Sequence, residues 1–491
     1  MCSSREQTRY WVGNRTQSTV GLKSAQRNNP LCRAPVRLTA CFRFISLEGR
    51  FMASRLSLLT LALLASSTDL MAAADDGEHG FLADTSLNVL ARNFFLQNDY
   101  RTGHPDQSYR QEWAQGFIAN LQSGFTQGTL GVGVDAHGFY GLKLDSGRGR
   151  AGTGLLPLDS NGRAEDDYSD AGGALKLRLS KTTLKIGEME VETPVLDTGD
   201  KRLQPEYASG LFVDSRDVEG LKLVAGHFTS FKNENASTSR GDFDGYGATT
   251  RGRAISLAGV ETTDTMPVGG SVYASQLTDT WRQYYGNLHY LDVLSDNSAL
   301  LLDSNLYRTL DQGSARAGAI DNTAYSLSAK YSLGAQAFTL AWQKIDGDTP
   351  FDFVGGDSIY LANSIKYADF NGAHEQSWQV RYDLDASLFG LPGLKFMTRY
   401  VRGSQIDGTH APQGAVYQPF DEDSGRYQPI QGKGGRHWER DIDLKYVVQS
   451  GPVKDLSLDV SHVSHRGNDA QGGDDIDRLY IVVQYPLDLL K

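Results

Sequence analysis

Seven arginines are the side chains best placed, by type and spacing, to act on a solute. Arg92, Arg178, Arg282, Arg308, Arg381 and Arg399 lie in or beside segments that alternate apolar and polar residues, and Arg202 lies in the polar stretch 194–206. A guanidinium is permanently charged and presents a planar fork of donors, so it grips a carboxylate with two hydrogen bonds. A row of such groups along a wall guides anions. For any one arginine the simpler account is an ion pair with a neighbouring Asp or Glu that only tiles the wall. For the set that account weakens, because the acids concentrate in connecting stretches such as Glu165-Asp166-Asp167, Asp421-Glu422-Asp423 and Asp474-Asp475.

Catalytic constellations are poor by comparison. The chain has ten histidines, and His437, His462 and His465 fall near the C-terminus. His462 and His465 are three apart, so on a strand they face opposite sides and make no natural metal pair. No HExxH, CxxC or GxSxG pattern occurs after residue 74, which removes the usual signatures of zinc, redox and serine-nucleophile chemistry. No cofactor and no metal are expected.

The segments that must position the arginines have a period of two. In 130–144, Leu130, Val132, Val134, Ala136, Tyr140, Leu142 and Leu144 share one face, and Asp135, His137 and Lys143 share the other. Leu175, Leu177 and Leu179 alternate with Lys176 and Arg178. Trp378, Val380, Tyr382 and Leu384 alternate with Gln379, Arg381 and Asp383. Ile442, Leu444, Tyr446 and Val448 alternate with Asp441, Asp443 and Lys445, and Leu479, Ile481, Val483 and Tyr485 share a face of the last segment. Such alternation is the mark of a strand with one apolar face.

Several segments run for ten residues or more, longer than a typical strand of five or six but suited to a tilted membrane strand. Connections alternate between long polar stretches (98–110, 146–172, 191–208, 232–251, 346–375, 404–436) and very short ones such as Ser180-Lys181, Gly334-Ala335 and Ser450-Gly451-Pro452. Short turns at one rim and long loops at the other are the layout of an outer-membrane barrel. The fold class expected is therefore all-β: a transmembrane antiparallel β-barrel of about 18 strands, wide enough for an aqueous lumen. Long external loops and short periplasmic turns complete it.

Composition agrees. The 491 residues include 53 Gly, 23 Tyr and 20 Phe but only 14 Pro, and the mean hydropathy is −0.40. No apolar run reaches the about 18 residues that a membrane helix needs. Residues 1–51 hold nine Lys/Arg against two Asp/Glu and all three cysteines (Cys2, Cys32, Cys41). From Met52 the order is Arg55, an apolar run from Leu56 to Ala65, and the small-residue site Ala72-Ala73-Ala74, the order of a secretory signal peptide. The reading is thus 1–51 as an upstream extension without a structural role, 52–74 as a signal peptide and 75–491 as the barrel. The last segment has 417 residues and no cysteine. Removing the basic start (+7) and a signal peptide whose Arg55 and Asp69 cancel takes the net charge from −11 to −18. That acidity argues against a nucleic-acid partner.

Specific residues then point to a family. Tyr109-Arg110-Gln111-Glu112-Trp113-Ala114-Gln115-Gly116-Phe117 resembles the second-strand motif of the OprD family of outer-membrane porins. Gly152-Thr153-Gly154-Leu155-Leu156-Pro157, the run from Lys176 to Glu188, the loop Arg202-Leu203-Gln204-Pro205, the run from Trp438 to Pro452 and Asp477-Arg478-Leu479 resemble it too. One departure is local: Leu-Gln-Pro follows Arg202 where the family pattern reads Leu-Pro-Gln. The resemblance implies an 18-stranded channel in the bacterial outer membrane for small, mostly carboxylate-bearing solutes, a monomer or loose homotrimer with lipid around it. It also implies a constriction made by the third and seventh external loops, about 191–208 and 346–375, with lumen bases opposing acids. By motif, Arg178, Arg202, Arg381 and Arg399 carry over to that basic ladder; Arg92, Arg282 and Arg308 rest on strand pattern alone. Some family members have been grouped with serine peptidases, so a barrel-embedded serine-peptidase-like enzyme is the rival reading, and no motif here supports it.

Overall fold

The computed structural model describes residues 80–102, 107–147, 149–243, 245, 254–263 and 267–490. The stretches read from the sequence as an upstream extension (1–51) and a signal peptide (52–74) lie outside the described residues. Eighteen strands form one sheet. In chain order they are β1 Ser86–Thr102, β2 Tyr109–Gln122, β3 Leu130–Asp145, β4 Asp167–Leu179, β5 Thr182–Met189 and β6 Tyr207–Ser215. Then come β7 Leu221–Lys232, β8 Ile255–Thr262, β9 Val268–Leu277, β10 Trp281–Ser295, β11 Ser298–Asp311 and β12 Asp321–Leu333. β13 Gln336–Asp346, β14 Gln376–Asp385, β15 Leu394–Asp407, β16 Lys433–Val447, β17 Ser457–Gly467 and β18 Asp475–Leu490 complete the set. Each strand pairs antiparallel with the next, and β18 returns to β1, with Tyr485 opposite Ala91 and Ile481 opposite Phe95. The sheet is therefore a closed barrel with no edge, which removes the unpaired backbone groups that lipid cannot satisfy.

The period-two pattern sets the two faces. On β3, Leu130, Val134, Tyr140 and Leu144 are exposed on the outer face, while Gly131, Gly133 and Phe139 turn inward. Trp378 and Val380 of β14 are exposed outside, and Ser377 and Gln379 are buried inside. Outer residues meet across neighbouring strands: Phe338 packs on its register partner Tyr382 with ring centroids 5.1 Å apart, and Trp378 on the diagonal neighbour Tyr400 at 5.6 Å.

The interior is not empty. The third loop (190–206) and the seventh (347–375) fold back into the barrel and pack on the inner wall. Val195 and Leu196 from one, and Phe351, Val354, Ile359 and Leu361 from the other, join Trp281, Tyr285 and Tyr307 of the wall in one buried cluster. Leu203 joins a second cluster with Ile365, Tyr367, Phe370, Val401 and Val463. Each large side chain buried this way contributes about 1.5–3 kcal/mol, so the loops are seated as part of the barrel's core. Two glycines permit the close approaches. A Cβ on Gly356 (φ 73°) would stand 1.9 Å from the Asp197 carbonyl oxygen, where the two loops meet, and one on Gly403 would stand 1.8 Å from Glu375 Oε1 at the end of the seventh loop.

Candidate functional site

Between the two inward loops and the wall lies a cavity of about 710 Å3. The wall strands β1, β16 and β17 contribute Arg92, Lys445 and Asp459. The third loop contributes Glu190, Glu192, Asp197, Asp200, Lys201 and Arg202, and the seventh Asp357, Tyr360 and Lys366. The wall carries two basic side chains and one acidic, and the loops carry five acidic side chains beside three basic ones. The cavity is therefore lined by both signs, with three of its five bases, Lys201, Arg202 and Lys366, carried on the loops.

The loops are stitched together by charge. Lys201 Nζ lies 2.5 Å from Asp357 Oδ1 and donates to the Gly356 carbonyl at 3.1 Å. The Asp357 amide donates to the Asp197 carbonyl at 3.0 Å, and the Ser358 hydroxyl accepts from the Asp197 amide at 2.7 Å. Tyr360 Oη donates to Asp197 Oδ2 at 2.7 Å. Burial, reinforced by the negative charge of Asp357, pushes the Asp197 carboxyl up to about 8; the Tyr360 hydrogen bond offsets part of that rise. The third loop thus holds a carboxyl that is neutral at pH 7.

The arginines singled out in the sequence fall into three groups. Arg92 is buried on the inner wall, where it donates to Asp200 Oδ1 and Oδ2 at 2.5 and 2.7 Å and to the Arg202 carbonyl at 2.8 Å. It joins the wall to the third loop, beside Arg202, whose own Nη1 donates to the Lys201 carbonyl at 3.1 Å. The departure Leu-Gln-Pro is seated: Leu203 is fully buried and Gln204 donates to the Ala236 carbonyl at 2.8 Å.

Arg381 and Arg399 form the second group. They are cross-strand partners on the inner face of β14 and β15. Arg381 forks onto Asp383 at 2.6–3.1 Å, and Arg399 Nε donates to the fully buried Asp441 at 2.6 Å. Arg178 also points inward, but it sits at the short-turn end of β4 with its guanidinium 4.3 Å from the centre of the Phe125 ring.

Arg282 and Arg308 correct the sequence reading, because both lie on the outer face. On β10 the buried inward residues are Trp281, Gln283 and Tyr285, and Arg282 shares the outward parity of Tyr284 and Leu288. On β11, Tyr307 and Thr309 point in, and Arg308 reaches Asp321 at 2.5 Å and the Thr323 hydroxyl at 3.1 Å outside the lumen. Nearness to a strand had assigned them to the wall; strand parity assigns them outside it. Parity also finds what the arginine search missed, since Lys445 lies between outward Leu444 and Tyr446 and so faces the cavity. Lys201 and Lys366, carried on loops, left no such periodic signal.

His462 and His465 do face opposite sides of their strand, His465 inward. His437 pairs with His465 on the neighbouring strand (Nδ1 to Nε2, 2.7 Å) and with Glu375 at the end of the seventh loop (2.6 Å). His137, Asp170 and Glu188 bring ligand-type atoms within 4.8 Å of one another, but the fully buried Lys232 ammonium pairs with Asp170 there and lies 3.5 Å from Glu188 Oε1. That cluster already holds a cation from its own chain.

Comparison with known proteins places this architecture. The family model described as outer membrane porin, OprD family, matches residues 79–489. Porin D of Pseudomonas aeruginosa is 44% identical over 448 residues, covering 88% of this chain and 99% of the relative. The crystal structure of P. aeruginosa OprD superposes with a TM-score of 0.72 at 42% identity, covering 85% of this chain and 99% of that one. A P. aeruginosa OpdK structure with vanillate gives a TM-score of 0.73 at 36% identity, covering 83% and 100%.

Proposed function

The chain belongs to the OprD family of outer-membrane porins, and from that premise we propose that it is a passive channel for small carboxylate-bearing solutes, guided by the inward basic side chains. The observation that carries this reading is the convergence of five bases on one cavity, Arg92 and Lys445 from the wall and Lys201, Arg202 and Lys366 from the loops, interspersed with acids such as Glu190 and Glu192. A solute carboxylate is drawn to these bases, and an amino group on the same solute would find the acids among them. The vanillate in the OpdK structure is itself a carboxylate, which favours this class.

Three of the inward arginines already hold a protein carboxylate: Arg92 holds Asp200, Arg381 holds Asp383 and Arg399 holds Asp441. A passing carboxylate there exchanges one partner for another rather than meeting a bare charge. Exchange keeps those stops shallow, as diffusion along a multi-site path requires. By this reading Arg92, Arg202, Arg381 and Arg399 belong to the path, Arg178 stands at its periplasmic end, and Lys445 and Lys366 extend it. Planar-bilayer recording with carboxylates and their uncharged amides tests the proposal. Carboxylates should interrupt the current at concentrations where the amides do not; equal block by both would contradict it.

We further propose that the mature protein is 75–491, with 52–74 removed on export. The family match beginning at residue 79 supports that boundary.

A further inference from the structure

The seventh loop buries every side chain from 363 to 373 except one, and the exception is Lys366. Lys366 lines the cavity, with Nζ 2.8 Å from the Ser461 hydroxyl and 3.3 Å from Asp443 Oδ1. The two residues that follow it are held from the wall by a single carboxylate. Glu439, on the inner face of β16, accepts the Tyr367 amide on Oε1 at 2.9 Å and the Ala368 amide on Oε2 at 2.7 Å.

Glu439 is fully buried. Burying a carboxylate is expensive, and an apolar side chain would pack the same wall at lower cost. What the carboxyl adds is direction, since its two oxygens accept from successive amides and so fix both the height and the rotation of the loop at that point. The Ile365 amide closes the turn onto the Ala368 carbonyl at 3.1 Å, so fixing 367 and 368 also fixes 365 and 366.

We propose that Glu439 is a positioning residue that sets where the seventh loop presents Lys366 to the cavity, and so sets part of the channel's charge selectivity. The inference rests on the charged-path reading above. It predicts that Glu439 acts through Lys366 and not on the solute.

The test compares Glu439→Gln, Lys366→Gln and the double variant in planar bilayers under a salt gradient. Assembly is checked by heat-dependent gel mobility. Glu439→Gln should lower the anion-to-cation permeability ratio in the direction of Lys366→Gln, by about two- to fivefold, the factor a water-facing charge contributes. The double variant should match Lys366→Gln alone. A native ratio in Glu439→Gln, or additive losses in the double, overturns the proposal. Should Glu439→Gln fail to assemble, Glu439→Asp serves: one methylene shorter, it cannot hold both amides, and a native ratio in it is equally fatal.

A second readout separates this claim from the path itself. All three native cysteines lie in 1–51, so Lys366→Cys gives the 75–491 chain one thiol. Its rate of reaction with an anionic methanethiosulfonate should change when Glu439→Gln is added. If Lys366→Gln leaves the permeability ratio untouched, the charged path fails, and the thiol rates alone decide Glu439: an unchanged rate overturns its positioning role.

Discussion

Arg381 and Arg399 stand side by side on the inner wall, yet their removal should have different consequences. The Arg381 side chain is 33% exposed and its partner Asp383 26%. Arg381→Ala should cost at most about 1 kcal/mol of stability and lower anion preference modestly. Arg399 is paired with a carboxylate that has no exposure, so Arg399→Ala strands a buried charge and should cost about 3–5 kcal/mol. Thermal melting in detergent separates them: a large drop for Arg399→Ala only. Asp197 supplies a pH signature. Its carboxyl rises from the usual 3.8 to about 8 through burial and the charge of Asp357. Between those values the folded chain binds a proton that the unfolded chain lacks, so this group's contribution to stability is full below pH 3.8 and is lost as pH rises through about 8. Over the same upper range the cavity gains a negative charge, and anion preference should fall between pH 7 and 9. In Asp197→Asn that fall should flatten; an identical pH profile in the variant would contradict the assignment. None of this titration was legible in the sequence, because the acid and its neighbour Asp357 are 160 residues apart. The direction of Arg381 was legible, since Val380 and Tyr382 fix it by parity, and the same rule applied to Tyr284 and Leu288 would have placed Arg282 outside.

At the scale of elements, strands and loops differ in what they reveal. A strand repeats every two residues, so its faces can be read locally. The third and seventh loops fold inward through contacts such as Tyr307 Oη to the Pro194 carbonyl at 2.9 Å, whose partners share no period. Their part in the constriction came only from the family resemblance. The second loop (146–166) follows the same logic through Glu112. That residue is fully buried on the inner face of β2 and accepts the Gly152 and Leu155 amides at 2.9 and 3.1 Å, together with the Thr153 hydroxyl. Glu112→Ala leaves those donors unmet, at about 1–3 kcal/mol each where water cannot replace the carboxylate. The loss is local to the loop. Limited proteolysis should cut the variant within 146–166 faster than the parent while the barrel keeps its heat-dependent gel mobility; equal rates would show that Glu112 does not anchor the loop.

Taken whole, the barrel closes between its first and last strands and encloses a cavity built from a single chain. One copy therefore builds the whole of that cavity, whatever its association in the membrane. Processing is the companion prediction: N-terminal sequencing of the membrane-extracted protein should begin near Asp75, and a start within 1–51 would overturn the signal-peptide reading. The central claim is that fixed inward bases select carboxylates, and its most direct test is the reversal potential of the 75–491 channel in a planar bilayer under a salt gradient. Parent and Arg381→Gln/Lys445→Gln channels would be compared, since these two cations face the lumen from separate strands. The account predicts anion preference in the parent and a clear shift toward cations in the double variant, with weaker block by small carboxylates. An unshifted reversal potential in a correctly folded double variant would contradict it.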